Sequence, residues 1–170
     1  MAGRGAPGGD AFEQAVGSLF SVAFTVKMAS KAAGRDYGVS KLEGLWWVDS
    51  GDSFMTAPKD KWSWRLLIRT PDFIAGRELE AARKKLVGKG KDPLFKEVEL
   101  TGLNEDLCVQ VLHTGPYDGE PETIREMEAF AAAQGYGFDG LHHEIYLSDP
   151  RRVPPEKLRT ILRHPVRPVN

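Results

Sequence analysis

Leu141–Pro150, LHHEIYLSDP, read beside the earlier stretch Leu42–Ser50, LEGLWWVDS, decides how this chain folds. Side chains alternate along a strand, so Leu141, His143, Ile145 and Leu147 share one face and His142, Glu144, Tyr146 and Ser148 the other. The first set is mostly apolar and is expected to pack under a helix. The second is a row of titratable and hydrogen-bonding groups in mid-strand. Glu144, at its centre, either lies wet on an open sheet face or is sunk in a cavity, where a carboxylate needs partners.

The surroundings of the two stretches echo each other. Each follows a Gly/Pro turn and a helix, and each precedes a strand, ending in LLIRTP in one case and ILRHP in the other. Setting Leu42 against Leu141 places Trp47 opposite Tyr146 and Asp49 opposite Ser148. Self-similarity at so large a period predicts a duplicated unit of strand, helix and two strands. The expected fold class is therefore α+β, a pseudo-twofold tandem of two such units in one domain. Its halves divide at about residue 100 of the 170.

Apolar spacing fills in the elements. Phe12, Ala15, Val16, Leu19, Val22, Ala23 and Val26 predict a helix over 10–29. Met1–Asp10 reads as a frayed terminus or the tail of a strand. Strands are expected over 42–48 and 62–69, with Trp62, Trp64, Leu66 and Ile68 facing one way, and a polar loop between them. Leu79, Ala82 and Leu86 predict a helix over 76–87. Two further strands are expected over 95–100 and 107–113. A helix over 121–134 buries Ile124, Met127 and Phe130 or Ala131, and strands follow over 141–147 and 158–166.

Four tryptophans fall within Trp46–Trp64. Trp46 and Trp47 point to opposite faces, so one core cannot take both. If packing takes one of each pair, Trp47 and one of Trp62 or Trp64 are left to line the other face, and an exposed aromatic patch marks a binding site. Aromatic walls over a carboxylate suit a lipophilic cation, held by cation–π contact, or a flat electrophile attacked by water that the carboxylate activates. His113 lines that pocket or caps its strand. Tyr117, in Gly115-Pro116-Tyr117, reaches the ligand or anchors the turn. Glu120 and Glu122 sit in a first helical turn, where the helix dipole accounts for them.

The composition excludes several classes. Hydrophobic residues make up 41% and charged residues 28% of the chain, and the formal net charge is −1. No field of one sign steers it to nucleic acid or an anionic membrane. The clusters Arg83-Lys84-Lys85 with Lys89 and Lys91, and Arg151–Arg167, read as solvated faces. The single cysteine, Cys108, allows no internal disulfide, and the four histidines lack metal-ligand spacing. No cofactor or metal is expected. Without a signal peptide or a long apolar run, a cytoplasmic location is expected.

The segments LEGLWW (42–47), WSWRLLIRTPDF (62–73), VQVLHTGPYDGEPETI (109–124) and HHEIYLSDPRRVPPEKLRTILRHPV (142–166) resemble the GyrI-like small-molecule-binding family. HHEIYLSDP with PPEKL is the most specific part, and the likeness covers almost the whole chain. The resemblance implies an antiparallel sheet with helices on one side and a ligand cleft between the halves. It also implies a central acid on the penultimate strand, which Glu144 matches. Relatives carry more sequence before the Gly-rich start, so a short first strand is expected. Related domains serve as effector-binding modules or bind multidrug cations.

The stand-alone, tryptophan-rich branch is similar to cyclopropanoid cyclopropyl hydrolases, which open spirocyclic DNA-alkylating natural products such as yatakemycin with water. On that likeness, Trp47 and Trp64 sandwich a planar ligand and Glu144 orients and deprotonates water. Tyr146 holds the carboxylate, and Tyr117 or His113 supports the developing phenolate. The competing expectation is a module that sequesters planar or cationic drugs without chemistry. A third is a domain that binds a partner protein, for which no strong acidic or apolar stripe is visible.

Overall fold

The structure is a computed structural model that describes residues 1–50, 55–88 and 93–169. The strands are β1 (Ala2–Arg4), β2 (Leu42–Val48), β3 (Trp62–Ile68), β4 (Cys108–Thr114), β5 (Tyr136–Phe138), β6 (His142–Tyr146) and β7 (Arg159–Pro168). The helices are α1 (Asp10–Ala32), α2 (Gly76–Val87) and α3 (Glu120–Ala133). The sheet order is β1-β3-β2-β6-β7-β4, antiparallel throughout, with β5 pairing the end of β7. This order is a pseudo-twofold one. The unit β1-α1-β2-β3 and the unit β4-α3-β6-β7 meet where β2 pairs with β6.

All three helices cover one face, here the front. In β2 and β3, Gly44 opposes Leu66, Trp46 opposes Trp64 and Val48 opposes Trp62, so Trp46, Trp62 and Trp64 all project forward. Trp46, Trp64 and Leu66 form the first core with Val22 and Val26 of α1 and Leu79, Ala82 and Leu86 of α2. Burying each large side chain contributes about 1.5–3 kcal/mol. Gly3 faces the same core, where an added Cβ would stand 2.3 Å from the Trp64 ring, so the indole lies flat against that glycine. The second core is smaller. Ile124 and Met127 of α3 pack on Leu162, with Val109, Val111 and Phe138 around them.

Several expectations change. The region 95–100 is not a strand: Pro93–Glu97 forms a 3-10 turn, and Phe95 and Val98 are buried in the first core. Their spacing of three is that of a turn, not the alternation of a strand. Tyr136–Phe138, between the helix expected over 121–134 and the strand expected over 141–147, is a further strand paired with β7. On α3, Ala131 is buried and Phe130 is exposed. Lys89 and Lys91 lie outside the described residues.

The faces of β6 are exchanged relative to the expectation. It is the polar row His142, Glu144 and Tyr146 that lies under the helices, because Gly44 opposes Glu144 and Trp46 opposes His142. His143 and Ile145 point to the back. The match of Leu42 with Leu141 is likewise one residue out, since a one-residue slip turns every side chain to the opposite face. The match that keeps faces sets Gly44 against Glu144 and Trp46 against Tyr146.

Candidate active site

Glu144 stands on the central strand β6, on the front face, and is only 6% exposed. Tyr146, two residues on, donates its hydroxyl hydrogen bond to the Glu144 carboxylate. The same phenol oxygen accepts from Trp46 Nε1 at 3.1 Å. This chain of indole, phenol and carboxylate crosses directly over Gly44. A Cβ there would lie 2.9 Å from Trp46 Nε1 and 3.2 Å from the Tyr146 hydroxyl, so only glycine leaves the hydrogen bond room. His142 Nε2 lies 3.4 Å from Glu144 Oε1 on the other side.

A second acid enters from above. The turn Gly115–Gly119 delivers Tyr117 and then Glu120, the first residue of α3, into the same region. Glu120 is buried, and Thr160 of β7 donates to it. Burial, then the charge of Glu144, pushes the Glu120 carboxyl up to about 9. An acid at a helix N-terminus ordinarily gains from the dipole. Here desolvation outweighs that gain, and the group keeps its proton at neutral pH.

Tyr117 packs edge-on against Tyr146 at 6.1 Å between ring centres, with the planes at 88°. Burial and the neighbouring charges of Glu120 and Glu144 raise its hydroxyl to about 12. Burial raises Tyr146 well above the ordinary phenol value too, reinforced by the charge of Glu144 and the bond donated to it. Both phenols thus stay protonated at neutral pH. Trp62 and Phe12 line the first-half side. Trp62 meets Trp46 edge-on at 5.5 Å, and Phe12 stacks on Trp46 at 5.8 Å. Met55 reaches across to the second core, and Lys59 pairs with Asp118 at 3.3 Å, so the segment 55–61 bridges the two halves.

The expected site residues separate into three groups. Glu144, Tyr146 and Tyr117 come together. His113 is buried beneath the turn, where its Nδ1 meets Thr123 Oγ1 at 2.8 Å and its Nε2 meets the Pro116 carbonyl at 3.2 Å. With both ring nitrogens engaged locally, it fixes the turn that carries Tyr117 and Glu120, on the same sheet face as Thr160. Trp47 and Trp64 cannot sandwich a ligand, because they lie on opposite faces of the sheet. Trp47 opposes Ser63 on the back and donates to Asp49 at 2.8 Å, while Trp64 is buried under α1. Trp46 and Trp62 are the tryptophans that share the front face with Glu144, in edge-on contact with each other.

Sequence reasoning missed Glu120, Thr160 and Trp46. Thr160 was legible as the residue beside Tyr146 once β6 and β7 are paired. For Glu120 the signal was its position three residues after Tyr117, in a turn too tight to spread the two apart.

Directly behind Glu144 the sheet buries another polar cluster. His143, 1% exposed, meets Glu43 at 3.0 Å through Nε2 and Glu105 at 3.0 Å through Nδ1. Arg163 reaches Glu105 at 3.3 Å. Burial alone lowers the His143 pKa, but the two carboxylates more than reverse this and hold it above the ordinary histidine value. The imidazolium is the form that donates to both acids. Next to this cluster lies a back-face hollow of about 340 Å³, lined by Leu45, Leu103, Asp106, Asp139 and Leu141 among others. Among the described residues, no group of three His, Cys, Asp or Glu side chains is arranged to hold a metal ion, and no helix is long and apolar enough to cross a membrane.

The sequence model of the GyrI-like small-molecule-binding domain matches residues 2–167. Among solved structures, an uncharacterized conserved protein from Listeria innocua superposes with a TM-score of 0.90 at 38% identity, covering 98% of this chain and 85% of that one. A protein from Listeria innocua described as a hydrolase superposes with a TM-score of 0.85 at 38% identity, covering 98% of this chain and 84% of that one. A comparison with curated proteins finds no match.

Proposed function

The chain belongs to the GyrI-like small-molecule-binding family, and on that footing we propose that it hydrolyses electrophilic cyclopropanes of DNA-alkylating natural products, a detoxifying reaction. The observation that carries this reading is the Glu144 carboxylate, buried on the sheet face that carries Trp46 and Trp62 and held by the Tyr146 hydroxyl. A carboxylate fixed in this way can orient a water and accept its proton while the ring carbon is attacked. Trp62 and Tyr117 offer flat surfaces for a planar substrate, and the phenols can donate hydrogen bonds to its polar edge. The hydrolase description of structural relatives at 38% identity supports water as the second reactant.

The test is incubation with a spirocyclopropyl cyclohexadienone, following the hydrated, ring-opened product by mass spectrometry. Wild-type protein should turn it over, and Glu144→Gln should be about 10²–10⁴-fold slower, the usual worth of a positioned base. Equal rates for the two proteins would overturn the assignment.

A second reading, sequestration of planar cations without chemistry, draws on the same acid between aromatic rings. It predicts stoichiometric quenching of tryptophan fluorescence by such ligands and no product.

A further inference from the structure

We propose that Glu120 is the catalytic acid of this site, delivering a proton to the substrate oxygen on which charge collects as Glu144 draws the proton from water. This rests on the hydrolytic reading above and adds a second reacting residue to it.

The placement comes from strand register. Tyr146 and Thr160 stand directly opposite each other on β6 and β7. The Tyr146 hydroxyl holds Glu144, and the Thr160 hydroxyl holds Glu120. Opposed residues on antiparallel strands have Cα atoms about 4.5–5.5 Å apart, so the two hydroxyls present two carboxyls over the same patch of sheet. Glu120 is 6% exposed, and its Oε1 is enclosed with no partner in the protein. Buried polar atoms are rarely left unpaired in folded proteins. The helix dipole does not require this burial, because Glu122 in the same turn is exposed.

The groups facing Glu120 keep it neutral. Glu144 and Asp118 repel its charge, and burial opposes it further. Lys59 favours the charged form but is itself engaged by Asp118 at 3.3 Å. One carboxyl thus carries a proton while its neighbour acts as base, which is the division of labour that acid–base catalysis needs.

The step balances. Water oxygen bonds to the cyclopropane methylene, and the bond from that methylene to the spiro carbon breaks. Its electron pair passes through the dienone to the carbonyl oxygen. Glu144 takes a proton from the water, and Glu120 gives its proton to that oxygen, leaving a phenol. One proton passed from Glu144 to Glu120 through solvent restores the site.

The test compares wild type, Glu120→Gln and Thr160→Val on the spirocyclopropyl dienone. Glu120→Gln should lower kcat by about 10²-fold or more with little change in KM. Wild-type kcat should fall on the alkaline side, and that limb should be missing in Glu120→Gln. Thr160→Val removes a donor to the carboxylate and should move the limb to higher pH. A dienone whose product phenol is strongly acidic needs less protonation, so Glu120→Gln should lose far less on it. Infrared difference spectra at neutral pH should show a protonated-carboxyl band that Glu120→Gln removes. Turnover by Glu120→Gln within a few-fold of wild type, with the alkaline limb intact, would overturn the assignment of Glu120 and leave the hydrolytic reading standing. Absence of wild-type turnover would overturn both.

Discussion

His143 and Glu144 are consecutive residues of one strand, both buried, and they face opposite sides of the sheet into opposite electrostatic regimes. Behind the sheet, charge alternates in sign from Glu43 to His143 to Glu105 to Arg163, each step within 3.3 Å. In front, Glu144 and Glu120 are held by the hydroxyls of Tyr146 and Thr160, which supply direction but no countercharge. A compensated cluster is a fastener: it pins the loop carrying Glu105 across β2, β6 and β7. A pair of buried acids held by neutral hydroxyls adds no comparable stability, and its burial side by side is what chemistry or ligand binding would call for.

The largest effect that could break this contrast is on turnover. Glu144→Gln should cost about 10²–10⁴-fold in rate while the denaturation midpoint holds or rises, since the amide still accepts from Tyr146 and a buried charge is gone. A matching loss of stability would place Glu144 with the fasteners. Next comes His143→Ala, which takes from Glu43 its imidazole partner and leaves Glu105 to Arg163 alone. Chemical denaturation should show a loss of about 3–5 kcal/mol, the range for breaking a buried ion pair.

Gly44→Ala pushes a methyl into the Trp46–Tyr146 hydrogen bond. It should cost about 1–3 kcal/mol by overpacking and slow turnover further than the folded fraction explains. The pH dependence of stability sharpens the contrast from another side. Glu120 lies at about 9 in the folded protein against 4.5 when unfolded, so the folded state binds the extra proton. Its contribution is complete below about 4.5 and is lost as pH rises towards 9. His143, also raised, adds a loss in the same direction as pH climbs from the ordinary 6.5 through its folded value. Thermal melts should therefore drop on the alkaline side, and Glu120→Gln should flatten the slope. The smallest effect is expected at Trp47→Phe, which should stay within about 0.5 kcal/mol and leave ligand-induced quenching intact, whereas Trp62→Leu should weaken it.

Most of the fold was legible because apolar periodicity is strong where a helix or strand lies on a core. Leu19, Val22 and Val26 announced α1, and Trp62, Trp64 and Leu66 announced one face of β3. The acid at the centre was legible because a carboxylate in mid-strand is unusual. What periodicity could not give was the phase of one strand against another. Trp47 seemed to match Tyr146 because the two motifs align by letter at Leu42 and Leu141. Only the β2–β6 ladder shows that Trp46 is the counterpart. The polar row of β6 was expected to face away from the helices because polar residues usually do; in the structure Gly44 gives it room beneath them. Glu120 escaped notice because its helix-start position already had an ordinary explanation, and burial is not written in the residue's identity.

Gly44 and Glu144 face each other where the two repeats meet. In a dimer of identical units, whatever residue occupies that position occupies it twice: two glycines would give room without charge, and two glutamates charge without room. A site that needs one of each is closed to perfect symmetry. Joining the repeats in one chain lets the two positions be set independently, so that one half supplies the hollow and the other the acid that fills it.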